Sequence, residues 1–161
     1  MPHGSAGPLR PEEPRFNDGD DRIAFNRVWF NLQRIQRSMG PRIARALKAQ
    51  GIDDPVWYEI LIEIERAGPD GLQMLELERR LYMPQYALSR HAARLEAAGF
   101  VRREKLAGAG RGQKLFLTAQ GQGLHQQIWP GYMAAIQEQL AHRLSVAEAY
   151  DLTRLLIRLY P

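Results

Sequence analysis

Five side chains that can bond a base edge or a phosphate lie close together in the sequence: Gln85, Tyr86, Ser89, Arg90 and Arg94. Several are four apart, so a helix would gather them on or near one outward side. A glutamine amide matches the donor and acceptor of adenine in the major groove, and a guanidinium matches the two acceptors of guanine. The hydroxyls of Ser89 and Tyr86 suit phosphate oxygens, which fix position without reading sequence. A second group follows at Arg102, Arg103, Lys105, Arg111 and Lys114, around the glycine-rich run from Ala107 to Gly112.

The charge distribution supports a polyanionic partner. The 161-residue chain carries a formal net charge of +4. Residues 79–120 hold nine Lys/Arg against two Asp/Glu, while residues 1–78 are net acidic and 121–161 are balanced. Excess cation in one stretch points to nucleic acid more than to a small substrate. Other classes are excluded or lack support. With no cysteine, disulfide scaffolds, cysteine zinc sites, thiol nucleophiles and thiol redox switches drop out together. The longest apolar run, Tyr132 to Ile136, is far below the ~20 residues of a membrane span. Met1-Pro2-His3-Gly4 opens no apolar segment, so no secretory signal is expected and a cytoplasmic location is the default. The histidines are scattered. Glu138 and His142 are four apart but have no third ligand nearby, so they read as a solvated helix face and no metal or other cofactor is expected. Gly108, Gly110 and Gly112 are not followed by a helix start, as a phosphate loop would require. Nothing indicates an enzyme.

The elements that must position these groups follow from punctuation and period. Residues 1–20, rich in proline, glycine and aspartate, read as a flexible arm without an apolar period. Residues 21–51 form a helical region, which Gly40-Pro41 is expected to kink or split. Asp54-Pro55 opens the next helix as N-cap and first residue, and Val56, Ile60 and Ile64 with Trp57 and Leu61 bury it broadly. Gly68-Pro69-Asp70-Gly71 is a tight turn. Met74, Leu77 and Leu81 mark a short helix. A second follows with Pro84 in its first turn, its core side at Leu88, Ala92 and Leu95, and its stop at Gly99. Residues 100–106 and 113–118 read as a β-hairpin. Thr118 is expected to cap a long helix bent at Pro130-Gly131, and Ser145-x-x-Glu148 opens a last, leucine-rich helix as a capping box. The fold class is therefore mainly α with a small β-hairpin wing. It is a winged helix-turn-helix lobe at 52–118, between an N-terminal helix (21–51) and C-terminal helices (119–161).

In its order and spacing the chain resembles the MarR-type (multiple antibiotic resistance regulator) transcriptional regulators. The resemblance rests on Leu88-Ser89-Arg90, on Arg94-Leu95-Glu96-Ala97-Ala98-Gly99-Phe100-Val101, on Arg111 through Gly121, and on Leu144-Ser145-Val146-Ala147-Glu148. It implies a homodimer whose terminal helices interlock, and the apolar faces of those helices exceed what one small core could cover. It also implies a sequence-specific regulator of double-stranded DNA, a repressor on a pseudo-palindromic site, with a small aromatic or lipophilic effector. Candidate lining residues for that effector are Trp29, Phe30, Trp57, Tyr58 and Trp129. One departure stands out. The family's wing usually carries Asp-x-Arg, whereas this chain has Ala109-Gly110-Arg111, so Arg111 reaches a minor groove from a more mobile tip. Arg103 is expected to hold a phosphate. The rival reading is a winged-helix protein-interaction module that does not bind DNA, which would lack the steep salt dependence of phosphate contacts.

Overall fold

The computed structural model describes residues 14–108 and 112–160. The chain divides into two units, one running to Arg37 and one from Ser38 onward, and the first helix, α1 (Arg22–Lys48), contributes to both. Within the first unit, Asp20 Oδ1 accepts from the Arg22 backbone N–H at 2.9 Å. Arg27 reaches Asp18 at 2.6 and 2.7 Å and lies over the Phe16 ring. Gly40 and Pro41 do not divide α1 into two helices. Proline removes one donor, and the turns on either side keep theirs.

The second unit is built around α2 (Pro55–Ala67). Asp54 caps it, its carboxylate accepting the Val56 N–H at 3.0 Å, with Pro55 at the first position. Its apolar rows place Trp57, Tyr58, Ile60, Leu61 and Ile64 in the interior. A 3-10 turn at Gly68–Asp70 leads into a two-residue strand, β1 (Leu72–Gln73), then α3 (Met74–Leu81) and α4 (Gln85–Ala97). The wing strands are β2 (Val101–Lys105) and β3 (Gln113–Leu117). The sheet is antiparallel in the order β1-β3-β2, with Leu72 opposite Leu115 and Val101 opposite Leu117. The sequence predicts the hairpin but not β1, because two residues are too short to show an alternating period.

One cluster forms the core. Ile60 and Ile64 of α2, Leu77 of α3, Leu88 and Leu95 of α4, Leu115 of β3 and Ile128 of the next helix are essentially inaccessible. That helix, α5 (Leu124–Leu140), starts later than the sequence suggests. Gly123, with φ +74, is its N-cap. Thr118 serves the wing instead. Its hydroxyl donates to the Gly99 carbonyl at 2.6 Å and accepts the Gly121 N–H at 3.1 Å, so it closes the root of the hairpin. Similarly, Pro84 precedes α4 as N-cap rather than lying in its first turn. The last helix, α6 (Val146–Ile157), opens with the Ser145–Glu148 capping box and has no buried residue. Among the described residues, no helix is long and apolar enough to cross a membrane.

Candidate nucleic-acid interface

α3 and α4 are joined by the three residues Tyr82-Met83-Pro84, with Tyr82 in the left-handed region at φ 50. The Pro84 carbonyl accepts from Ala87 and Leu88, so the proline starts the helix without needing an N–H of its own. Leu88, Ala92 and Leu95 are fully buried, and this sets the rotation of α4 about its axis. The opposite side then faces solvent: Gln85, Tyr86, Arg90 and Arg94 are exposed and Ser89 is half-buried. Tyr86 is 70% exposed. Arg94 differs from the rest, because its guanidinium lies 5.1 Å from the centre of the Trp57 ring and is partly committed there. His91, on the same helix, lies 3.7 Å from the capping carboxylate of Asp54, too far for a hydrogen bond.

The hairpin follows directly. Strand alternation puts Arg102 and Glu104 of β2 on one face, opposite Phe116 and Lys114 of β3. Arg102 stacks 4.2 Å over the Phe116 ring and ion-pairs with Glu104, while Lys114 lies 5.9 Å from the same ring. Arg103 is on the other face and turns toward α4. Its Nε donates to Glu96 Oε2 at 2.7 Å, and its backbone N–H donates to Glu96 Oε1 at 3.2 Å. The Arg103 guanidinium holds the Glu96 carboxyl below the ordinary carboxylate range. Lys105 is exposed at the far end of β2. Arg111 lies outside the described residues. The structure thus assembles a helix face of amide, hydroxyl and guanidinium groups beside a cation-bearing hairpin. This is the geometry of a helix that enters the major groove with a wing beside it.

The sequence profile of the MarR family matches residues 50–112, from the turn before α2 to the wing. This segment is similar to the winged helix of that family. The fold of the chain is that of MarR-family transcriptional regulators. It is similar to Sco3205 of Streptomyces coelicolor, a MarR family regulator solved in complex with DNA, with 25% identity over 91% of this chain and 89% of that one and a TM-score of 0.74. It is similar to a mutant MarR of E. coli complexed with operator DNA, with 22% identity, 88% and 99% coverage and a TM-score of 0.74. It is also similar to the organohalide-sensing regulator RdhR in its 2,4-dichlorophenol-bound form, with 18% identity, 91% and 87% coverage and a TM-score of 0.74. No curated protein matches the sequence significantly.

Of the effector-lining candidates in the second unit, Tyr58 and Trp129 are brought together and Trp57 is not. Tyr58 and Trp129 stack at 7° with centroids 6.4 Å apart. Trp57, the neighbour of Tyr58 on α2, turns to Arg94, and Trp29 and Phe30 are exposed in the N-terminal unit. His125 and Tyr132 complete the aromatic group. The Tyr58 hydroxyl and His125 Nδ1 are 2.8 Å apart, and Tyr132 meets Tyr58 edge-on at 4.7 Å. The spacing of His125, Trp129 and Tyr132 at i, i+4 and i+7 is the signal that could have found them. Burial pushes the Tyr58 phenol up to about 12 and raises Tyr132 as well. The void beside Tyr58 and His125 measures only about 10 Å³, room for roughly one water. Larger space, about 470 Å³, opens between α1 and α5 among Arg42, Arg45, Ala46, Ala49, Ala135, Glu138 and Gln139.

Proposed function

We propose that the chain is a sequence-specific double-stranded DNA-binding transcriptional regulator, acting in the cytoplasm as a repressor that occludes a pseudo-palindromic operator. One observation carries this reading. The burial of Leu88, Ala92 and Leu95 turns Gln85, Tyr86, Ser89 and Arg90 outward beside the cations of the wing. Gln85 and Arg90 are assigned to base edges. Ser89, Tyr86, Arg94, Arg102, Lys105, Lys114 and Arg111 are assigned to the phosphate backbone and the adjoining minor groove.

The working unit is a homodimer. α6 buries none of its side chains, and Tyr150, Leu155, Ile157, Leu159 and Tyr160 are each more than half exposed. An apolar surface of this kind marks an association site. A two-fold dimer presents its recognition helices about 34–36 Å apart, one DNA turn. A small aromatic or lipophilic ligand that prefers the non-binding geometry would release the DNA by its differential affinity for the two states. The dichlorophenol-bound RdhR supports that part of the reading. In this chain the aromatic group around Tyr58 is packed, so the ligand must either part it or use the wider space between α1 and α5.

Selection from a random duplex library at two salt concentrations tests the proposal. The expected result is an enriched inverted repeat with half-sites about one turn apart. Weak, salt-steep binding with no enriched motif would reduce the chain to a non-specific DNA binder, and absence of binding at low salt would refute DNA recognition.

A further inference from the structure

Two cations of the wing are already held: Arg102 pairs with Glu104 and stacks on Phe116 within the hairpin, whereas Arg103 is held by a different element, α4. Arg103 is tied to Glu96 of α4 by two hydrogen bonds, one from its side chain and one from its backbone. The tie spans the turn between α4 and β2. That turn is itself clamped: the Thr118 hydroxyl binds the Gly99 carbonyl, and the Thr118 N–H binds the Phe100 carbonyl at 3.0 Å. Those two contacts fix the root of the wing. Among the described residues, the Glu96–Arg103 pair is the hydrogen-bonded tie from α4 that reaches further along β2, to the residue opposite Leu115 in the middle of the hairpin. With the burial of Val101 and Leu115 and the pairing of β1 to β3, the pair therefore helps to set the angle at which the wing leaves α4. Both side chains are about one-third exposed, so the bridge is not hidden from solvent or from a phosphate.

We propose that Glu96 is a positioning residue for DNA recognition: by holding Arg103 it helps to set the wing's angle to α4, and it withdraws Arg103 from the cations that bind phosphate. The proposal rests on the DNA-binding reading above and deepens it. Lys105 and Lys114 supply the wing's electrostatic contacts, Arg102 adds to them only by leaving its Glu104 partner, and Arg103 supplies geometry. A carboxylate that accepts from both the side chain and the backbone of one residue is suited to that role, because two directed bonds constrain orientation and a single charge does not. Loss of the tie has two effects of opposite kind. A freed guanidinium adds an attraction to any DNA, while a loosened wing weakens the match to the selected site alone.

The test uses the full chain, the duplex enriched by selection and a scrambled duplex of equal length, with binding measured across salt concentrations. A melting curve of each variant is recorded first. Arg103→Gln is expected to leave the salt slope on scrambled DNA unchanged, whereas Lys105→Gln lowers it by about 0.9. Glu96→Gln is expected to steepen that slope by about 0.9 as Arg103 is released. In both single variants at the bridge, affinity for the selected over the scrambled duplex should fall about tenfold, a coupling of ordinary size for contacting residues. The exchanged pair, Glu96→Arg with Arg103→Glu, restores the side-chain bond but not the backbone one, and should recover part of that ratio. If Arg103→Gln lowers the slope as Lys105→Gln does, Arg103 is a phosphate contact and the proposal falls. It falls equally if the variants melt lower but keep both ratio and slope, since the bridge is then only structural. Should Glu96→Gln fail to fold, Arg103→Gln still decides the slope. If the wild type selects no duplex, and Arg90→Ala is then also without effect, the DNA-binding reading itself has failed.

Discussion

Replacing Gly71 by alanine should destabilise the lobe through two separable costs. Gly71 joins the 3-10 turn to β1 with φ 66 and ψ 179, a region that side-chain-bearing residues almost never adopt. Forcing alanine there costs about 1–3 kcal/mol. The added methyl would also lie 2.6 Å from the Leu115 carbonyl oxygen and from the edge of the Phe116 ring, where ordinary contact begins near 3.4 Å. β3 must therefore move by about 0.8 Å, or β1 must detach from it. Overpacking of that kind costs a further ~1–3 kcal/mol. At roughly 2–4 °C per kcal/mol for a chain of this length, the two costs together lower the melting temperature by about 5–20 °C. Gly51 is the control. It has φ +86 but open space around it, so Gly51→Ala meets only the conformational cost, about 1–2 kcal/mol. Thermal unfolding followed by circular dichroism measures both variants. A Gly71→Ala protein that loses no more than Gly51→Ala would refute the claim that the backbone of β3 is packed against this turn.

Three other outcomes are expected. Arg90→Ala should leave the melting temperature unchanged, because Arg90 is exposed and pairs with no carboxylate among the described residues; it should cost about 1–3 kcal/mol of discrimination at one base position, read by binding to single-substitution duplexes. Ser145→Ala removes the capping box of a helix that has no buried side chain to hold it, and should cost about 0.5–2 kcal/mol of helix stability, seen as lost helical signal and weaker self-association in sedimentation. The contribution of Glu96 depends on pH in a definite direction. Its folded pKa is depressed, first by the hydrogen bond from Arg103, so its stabilisation is fully present above the ordinary glutamate value of about 4.3 and is lost as pH falls through the lowered folded value. With the pair part-exposed, the difference in stability between wild type and Glu96→Gln should stay under about 1 kcal/mol near neutrality and vanish in acid, as denaturant titrations at several pH values would record.

Much of this arrangement was legible in the sequence, because its signals are local. The Asp54-Pro55 start of α2 and the Ser145–Glu148 box are caps read within four residues, and both form as expected. The buried side of α4 followed from helical spacing, and burial of Leu88, Ala92 and Leu95 fixed the outward face in turn. The features that escaped depend on distant partners. β1 exists because Leu72 and Gln73 pair with β3, more than forty residues later. Thr118 has the chemistry of a cap, but Gly99 competes for its hydroxyl and Gly123 takes over the start of α5. Arg103 reads as one more basic residue until the turn at Gly99 folds β2 back and brings Glu96 within reach. Trp57 and Tyr58 take different partners because adjacent residues on a helix point about 100° apart.

The bare surface of α6 has a kinetic corollary. In the proposed homodimer, a helix with no interior of its own would gain its stability from the second chain, so folding of this element and encounter between chains would become one step. The concentration of intact regulator then scales with the square of the monomer concentration at low expression. A promoter controlled by such a protein would respond to a modest fall in its level with a disproportionate loss of occupancy. The switch would have a threshold even in the absence of a ligand.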